Sequence, residues 1–220
     1  DGNGYVGTLP GGATVFTLTL DGLTGEYTYT QYLPLDHHKS DDPDEIIWLK
    51  FFVEIYDADG DTDLAVIGID VHDSAVNDFV GSKVAVDESA LDPSDADSNV
   101  VTADFGGDGM GGFAPTDVSS ISFTGATADA LTSNGVPVEI EIVGNSYVGS
   151  AGGDTIFTLD INADGNYTFT LLGTLDHADT TNPDDVIEIN FGVKATDFDG
   201  DSTASGEITV SIKDDGPSIS

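Results

Sequence analysis

The sequence predicts an all-β protein built of tandem antiparallel β-sandwiches, and three observations predict it. Short runs rich in Thr, Val, Ile and aromatic residues alternate apolar and polar positions at period two, with Asn-Gly or Asp-Gly turn dipeptides between them. No stretch carries a helical period, so helix should be nearly absent. The chain also repeats itself at an offset of 140 to 142 positions, the mark of two copies of one unit.

The strands follow in order from these signals. Val138-Glu139-Ile140-Glu141-Ile142 alternates strictly, Gly144-Asn145 turns the chain, and Ser146 to Val148 begins the return. Thr155 to Ile161 and Tyr167 to Leu172 flank Asp164-Gly165 as a second hairpin, and Val186 to Thr196 and Thr203 to Lys213 flank Asp199-Gly200 as a third. The first copy spells the same elements. Gly2-Asn3-Gly4-Tyr5-Val6-Gly7 matches Gly144 to Gly149, Val15-Phe16-Thr17-Leu18 matches Ile156 to Leu159, and Tyr27-Thr28-Tyr29-Thr30 matches Tyr167 to Thr170. Leu35-Asp36-His37 matches Leu175-Asp176-His177, Pro43 to Ile47 matches Pro183 to Ile187, and Asp70-Val71-His72-Asp73 fits Ser211-Ile212-Lys213-Asp214.

The stretch from about Asp78 to Ile142 has no counterpart upstream. The expected organisation is therefore 1–77 as the later part of a sandwich, 78–217 as a complete one, and 218–220 as an exit linker. The missing first part of unit 1 is expected to have been cut away or to lie elsewhere in a parent chain, separated by an inserted domain.

In unit 2 the run Ile187, Ile189, Phe191, Val193, Ala195 should face inward, leaving polar residues outside. Unit 1 has the inward series Ile47, Leu49, Phe51, Val53, Ile55, but its outward positions carry Trp48, Phe52 and Tyr56. Three aromatics on an exposed strand face suggest contact with a neighbouring domain or a ligand.

Composition narrows the function. Against 41 Asp and Glu stand five Lys and Arg together, a net charge of −36. That charge repels phosphate backbones and anionic lipid, so nucleic acid and membrane surfaces are not expected partners, and the chain is expected to be monomeric. With no Cys, no disulfide staples the fold. No apolar run reaches the roughly 18 residues of a membrane helix.

The carboxylates cluster. Asp57-Ala58-Asp59-Gly60-Asp61 and Asp197-Phe198-Asp199-Gly200-Asp201 share one spelling 140 positions apart. Each could be a plain polar turn. Yet carboxylates at about 4 Å repel one another by roughly 1 kcal/mol in water and about 4 kcal/mol near protein, so a cation is expected between them. Hard oxygen ligands suit calcium. An EF-hand is excluded, because the twelfth loop positions hold Gly68 and Ile208 instead of a carboxylate. In a seven-strand antiparallel sandwich the last hairpin loop returns to the end where the chain came in. Asp197, Asp199 and Asp201 should then meet Asp73 and the first unit-2 carboxylates, Asp87 and Glu88. Asp36 and Asp176, with Asp41 and Asp44 near the first of them, belong to the opposite loops, and Asp214 to the exit segment.

The four histidines stand in no zinc-binding pattern, so solvated or capping roles are expected for His37, His38, His72 and His177. Gly106 to Gly112 reads as a flexible loop. No nucleophile elbow, phosphate loop or Cys nucleophile is present.

Val86-Asp87-Glu88-Ser89, Leu131-Thr132-Ser133-Asn134-Gly135, Phe157-Thr158-Leu159, Leu175-Asp176-His177, Asp197 to Asp201 and Asp214-Asp215-Gly216-Pro217 together resemble the cadherin-like, immunoglobulin-like repeats of large bacterial RTX adhesins exported by type I secretion. Unit 1 departs from the pattern, ending Asp73-Ser74-Ala75 without the Asp-Asp-x-Pro exit. The resemblance implies an extracellular, cell-surface extender without enzymatic activity, rigidified by Ca2+, whose partners are neighbouring or inserted domains of the same adhesin chain. Two other readings stay open: a sugar- or peptide-binding module using the Trp48, Phe52, Tyr56 face, and a carbohydrate-active enzyme of sandwich fold, which would need a carboxylate pair in a cleft.

Overall fold

The computed structural model describes residues 4–39, 42, 45–127, 130–202 and 206–215. It is all-β as expected. Among the described residues the helical segments are the single 3-10 turns Glu88–Ala90 and Val118–Ser120. Among the described residues no helix is long and apolar enough to cross a membrane. The chain divides into two compact units: Asp1–Ala75 with Phe105–Met110 and Asp197–Asp201, and Val76–Asp104 with Gly111–Thr196 and Ser202–Ser220.

Among its described residues unit 1 has the strands β1 (Gly4–Thr8), β2 (Thr14–Leu20), β3 (Tyr27–Gln31), β4 (Ile46–Tyr56) and β5 (Thr62–His72). β1-β2-β3 form one antiparallel sheet and β4-β5 another. The two sheets face each other through aromatic rings, with Phe51 of β4 lying 5.2 Å from Tyr5, 5.7 Å from Phe16 and 6.4 Å from Tyr29, centroid to centroid. Among its described residues Val15, Leu18, Phe51 and Val71 are the buried apolar side chains.

Unit 2 adds β6 (Asn77–Val80), β7 (Ser82–Asp87), β8 (Asp95–Val100), β9 (Thr102–Asp104), β10 (Met110–Pro115), β11 (Ser122–Thr124), β12 (Thr132–Ser133) and β13 (Val136–Pro137). Then come β14 (Glu139–Val143), β15 (Ser146–Ala151), β16 (Asp154–Ile161), β17 (Asn166–Leu171), β18 (Val186–Asp197) and β19 (Gly206–Lys213). One sheet runs β14-β15-β16-β17-β8, the other β10-β18-β19-β7 with β11 also paired to β18. Between them Phe191 of β18 meets Tyr147 at 5.2 Å, Phe157 at 5.9 Å and Phe169 at 6.3 Å. The expected inward series Ile187, Ile189, Phe191, Val193 and Ala195 is buried throughout. Tyr147, fully buried, satisfies its hydroxyl by donating to the Gly192 carbonyl (2.8 Å) and accepting from the Thr116 N–H (3.2 Å).

The repeat seen in the sequence recurs in register. Gly7 stands opposite Phe16 and Gly149 opposite Phe157, and in both a Cβ would come 2.4 Å from the ring of that Phe. One departure from a purely antiparallel sandwich matters below: β19 pairs β7 in parallel, with Lys213 beside Asp87.

Candidate metal centres

The two Asp-x-Asp-Gly-Asp loops fold alike, as hairpin turns. In the first, the Asp57 N–H donates to the Asp61 carbonyl (3.1 Å), and Asp57 Oδ1 accepts from Gly60 and Asp61 N–H, each at 3.0 Å. In the second, the Asp197 N–H donates to the Asp201 carbonyl (3.0 Å), and Asp197 Oδ1 accepts from Asp201 N–H at 2.7 Å. Gly60 (φ 98°) and Gly200 (φ 109°) supply the left-handed backbone these turns need. The plain turn reading thus accounts for the first Asp of each loop. It does not account for the burial. Asp57, Asp59 and Asp61 are exposed, whereas Asp197 and Asp201 keep only 2% and 3% of their surface.

Around the buried loop, unit 1 gathers an acidic centre. Asp73 follows β5, its N–H bonded to the Glu45 carbonyl (2.9 Å) and its Oδ1 accepting from Ser74 N–H (2.8 Å). His37 is set by the loop before β4, where Glu45 accepts from the N–H groups of His38 (2.6 Å) and Lys39 (2.9 Å). The His37 N–H donates to Asp199 Oδ2 at 3.2 Å, and its Nδ1 lies 3.4 Å from that atom and 3.6 Å from Asp73 Oδ1. His37, Asp73 and Asp199 each present a ligand atom within 4.8 Å of the others. The stretch Gly106 to Gly112, read as a flexible loop, is instead held: Asp108 Oδ2 accepts from Ser74 N–H (2.9 Å) and from the Ser74 hydroxyl, which in turn accepts from Gly107 N–H (2.9 Å), and its last three residues begin a strand, Met110–Pro115.

This centre is electrically unbalanced. Asp73 Oδ2, Asp197 Oδ2 and Asp199 Oδ1 are buried and accept no hydrogen bond. Burial pushes the Asp73 carboxyl up to about 6, helped by Asp199 and Asp201, and burial with the adjacent Asp199 carboxyl pushes Asp197 to about 7. Burial opposes a charge on His37, but the Val71 carbonyl and the charges of Asp73, Asp108 and Asp199 outweigh it and raise its pKa. The lysine ion pairs engage other carboxylates, Asp42, Asp87, Asp184 and Glu188. Buried oxygens of this kind, contributed from separated chain segments, fit a hard divalent cation such as calcium.

A second centre lies in unit 2. Glu88, the first residue of the 3-10 turn after β7, accepts from Leu175 N–H (2.7 Å) and sits 3.5 Å from His177 Nε2. Asp214, just after β19, completes a trio whose ligand atoms fall within 4.8 Å of one another. His177 is fixed by an isolated bridge to Ala126 and by the Thr127 hydroxyl donating to its carbonyl at 2.8 Å. Burial pushes Glu88 to about 7, against the Leu175 N–H and with Asp214, Asp215 and Asp176 adding to the rise.

The expected convergence is thus only partly met. Asp73 does join the Asp197–Asp201 loop. Asp87 and Glu88 do not, because the parallel pairing of β7 with β19 carries them to the Lys213 end of β19, away from the hairpin. Asp87 caps the following turn, accepting from Ser89 N–H (2.9 Å), and lies 3.7 Å from Lys213 Nζ. Asp176 clamps a turn, accepting from Asn134 (3.0 Å) and Gly135 (2.7 Å) N–H groups, and Asp36 stays outside the clusters while its neighbour His37 enters one. The solvated roles expected of His37 and His177 are corrected, since both are buried against carboxylates; His38 and His72 are exposed. Asp41, Asp44, Gly216, Pro217 and 218–220 lie outside the described residues, as do 203–205 at the expected start of β19. Trp48, Phe52 and Tyr56 are 69%, 61% and 79% exposed.

No curated protein matches the chain. A family model described as "Domain of unknown function (DUF5801)" matches residues 2–70 and 83–210, and the chain belongs to that family.

Proposed function

We propose that the chain is a calcium-dependent structural module of a bacterial cell-surface adhesin, extracellular and non-enzymatic, serving to hold binding domains away from the cell. The observation that carries this reading is the set of buried carboxylate oxygens without a donor at Asp73, Asp197 and Asp199. They sit in a chain whose net charge is −36. Asp73, Asp197, Asp199 and Asp201 would hold the ion. Bound calcium supplies the positive charge these groups lack.

The chain's own contribution is to bring Asp73 and the Asp197 loop, 124 positions apart, into one cluster before any ion arrives. Each calcium then acts as a cross-link, and filling such sites in repeated modules turns pliable charged segments into stiff ones. Extracellular calcium modules bind at roughly 10⁻⁴ to 10⁻³ M, so the module would be soft inside the cell and firm outside it. Melting with and without EDTA tests this; superimposable curves would remove calcium from the account.

A second reading is favoured by one observation, the exposure of Trp48, Phe52 and Tyr56 along β4. Aromatic faces of this kind stack on sugars. Glycan-array signal that is lost in Trp48→Ala would support a binding module.

A further inference from the structure

The unit-2 centre differs in donor chemistry from the aspartate cluster of unit 1. We propose that Glu88, His177 and Asp214 form a binding site for a divalent d-block cation of the zinc class, with His177 Nε2 and the two carboxylates as ligands.

His177 retains 8% of its surface, and neither ring nitrogen makes a hydrogen bond. A buried imidazole in that condition forfeits its hydration without replacement. Its Nε2 faces Glu88 Oε1 at 3.5 Å. That is longer than an ordinary N–H···O bond of about 2.7–3.2 Å. It matches the separation of about 3.3 Å between two ligands held at about 2.0–2.1 Å around a tetrahedral zinc ion.

Donor type decides which metal. Calcium takes six to eight oxygens, whereas imidazole suits zinc, copper and nickel. Asp176, next to His177 in sequence, has both carboxylate oxygens committed to backbone N–H groups of Asn134 and Gly135. The set that remains is one nitrogen and two carboxylates.

The constellation is also built twice. His37 and Asp73 are the repeat counterparts of His177 and Asp214, and a third carboxylate, Asp199, completes their trio. In unit 1 Asp197 and Asp201 add further buried oxygen, which keeps that centre with calcium. The zinc-class assignment stands on unit 2 alone and does not depend on the calcium reading.

The test is a calorimetric titration of the full chain with zinc chloride in millimolar calcium, repeated with cobalt(II) and visible absorption. One zinc equivalent should bind despite the calcium, and cobalt should develop the intense d–d bands of a low-coordinate site. His177→Asn and Glu88→Gln should each weaken that equivalent by about 100-fold or more. His38→Asn and His72→Asn, at exposed positions, should leave it unchanged. Absence of the zinc equivalent, or its survival in His177→Asn, overturns the proposal. Should His177→Asn fail to fold, histidine ¹⁵N spectra of the unmodified chain decide: zinc must shift the His177 ring signals, and unmoved signals overturn the assignment.

Discussion

Tyr27 and Tyr167 hold the same place in the repeat, yet the first is 50% exposed and the second 1%. Tyr5 and Tyr147 differ likewise, at 41% and 0%. The local sequences are close and the strands pair in the same order, so propensity is not what separates them. The difference lies in what flanks the shared core of strands. In unit 2, β8 pairs β17, β14 pairs β15, β7 pairs β19, and β10 and β11 pair β18. In unit 1, among the described residues, β1-β2-β3 and β4-β5 stand as separate small sheets. Identical alternation therefore yields a closed core in one copy and a half-covered one in the other. Burial is decided by neighbours, and a strand's pattern only offers a face for them.

If unit 1 has the thinner core, it should lean hardest on bound cation, and calcium removal is the largest effect expected there. At free calcium of 100 times the dissociation constant a site contributes about 2.7 kcal/mol. One such site, at about 2–4 °C per kcal/mol for a chain of this size, gives a fall of about 5–10 °C on adding EDTA. Amide exchange should locate the loss, with Phe16, Leu18 and Phe51 unprotected while Phe191 and Ile208 stay closed. Equal loss in both units would break the comparison.

Core truncation measures the same asymmetry. Phe191→Ala in the closed core should cost about 3–5 kcal/mol in denaturant melts, whereas Phe51→Ala at the equivalent position should cost about 2 kcal/mol or less, because a half-covered site can collapse around the gap. Matching costs would show the unit-1 core to be as tightly packed as its partner.

The two aspartate loops contrast in the same way. Asp199→Asn should abolish most of the calcium-induced melting shift, while Asp59→Asn, in the exposed copy, should change stability by no more than about 0.5 kcal/mol. A reversed order would move the ion to the exposed loop.

The pH response has a defined sign. Asp73 at about 6, Asp197 at about 7 and Glu88 at about 7 are all raised, so between the unfolded carboxyl range near 4 and those values the folded chain binds more protons than the unfolded one. Metal-free stability should then fall as pH rises from about 4.5 to about 7.5, with His37, also raised, acting in the same direction. With calcium present the carboxylates are neutralised by the ion and the slope should flatten. A metal-free melting temperature that rises over this range would contradict the burial assigned to these groups.

Much of this architecture is legible in the sequence. The hairpins, the inward face of β18 and the twofold repeat follow from period-two alternation and turn dipeptides, which are local properties. The meeting of Asp73 with Asp197–Asp201 followed from counting strand directions. The same counting misplaced Glu88, because it assumed antiparallel neighbours and the β7–β19 pair is parallel. Solvated or capping roles were expected of His37 and His177 because the carboxylates they meet, Asp73 and Asp199 for the first and Glu88 and Asp214 for the second, lie far away in sequence and in no short motif. The available signal was the recurrence of Leu-Asp-His itself, which falls at the same structural position in both copies.

The smallest effect concerns the face on which the two copies differ most in chemistry. Trp48, Phe52 and Tyr56 occupy positions where unit 2 carries Glu188, Gly192 and Thr196, and all three are well exposed. Removing exposed side chains forfeits little, so Trp48→Ser should move the melting temperature by no more than the roughly 0.5 kcal/mol of an ordinary surface change. Trp48 is the chain's single tryptophan, which makes its environment directly readable. Its emission should be red-shifted and fully open to acrylamide quenching. Blue-shifted, protected emission would mean that this stripe is covered in solution and that the lesser burial of unit 1 has been overstated.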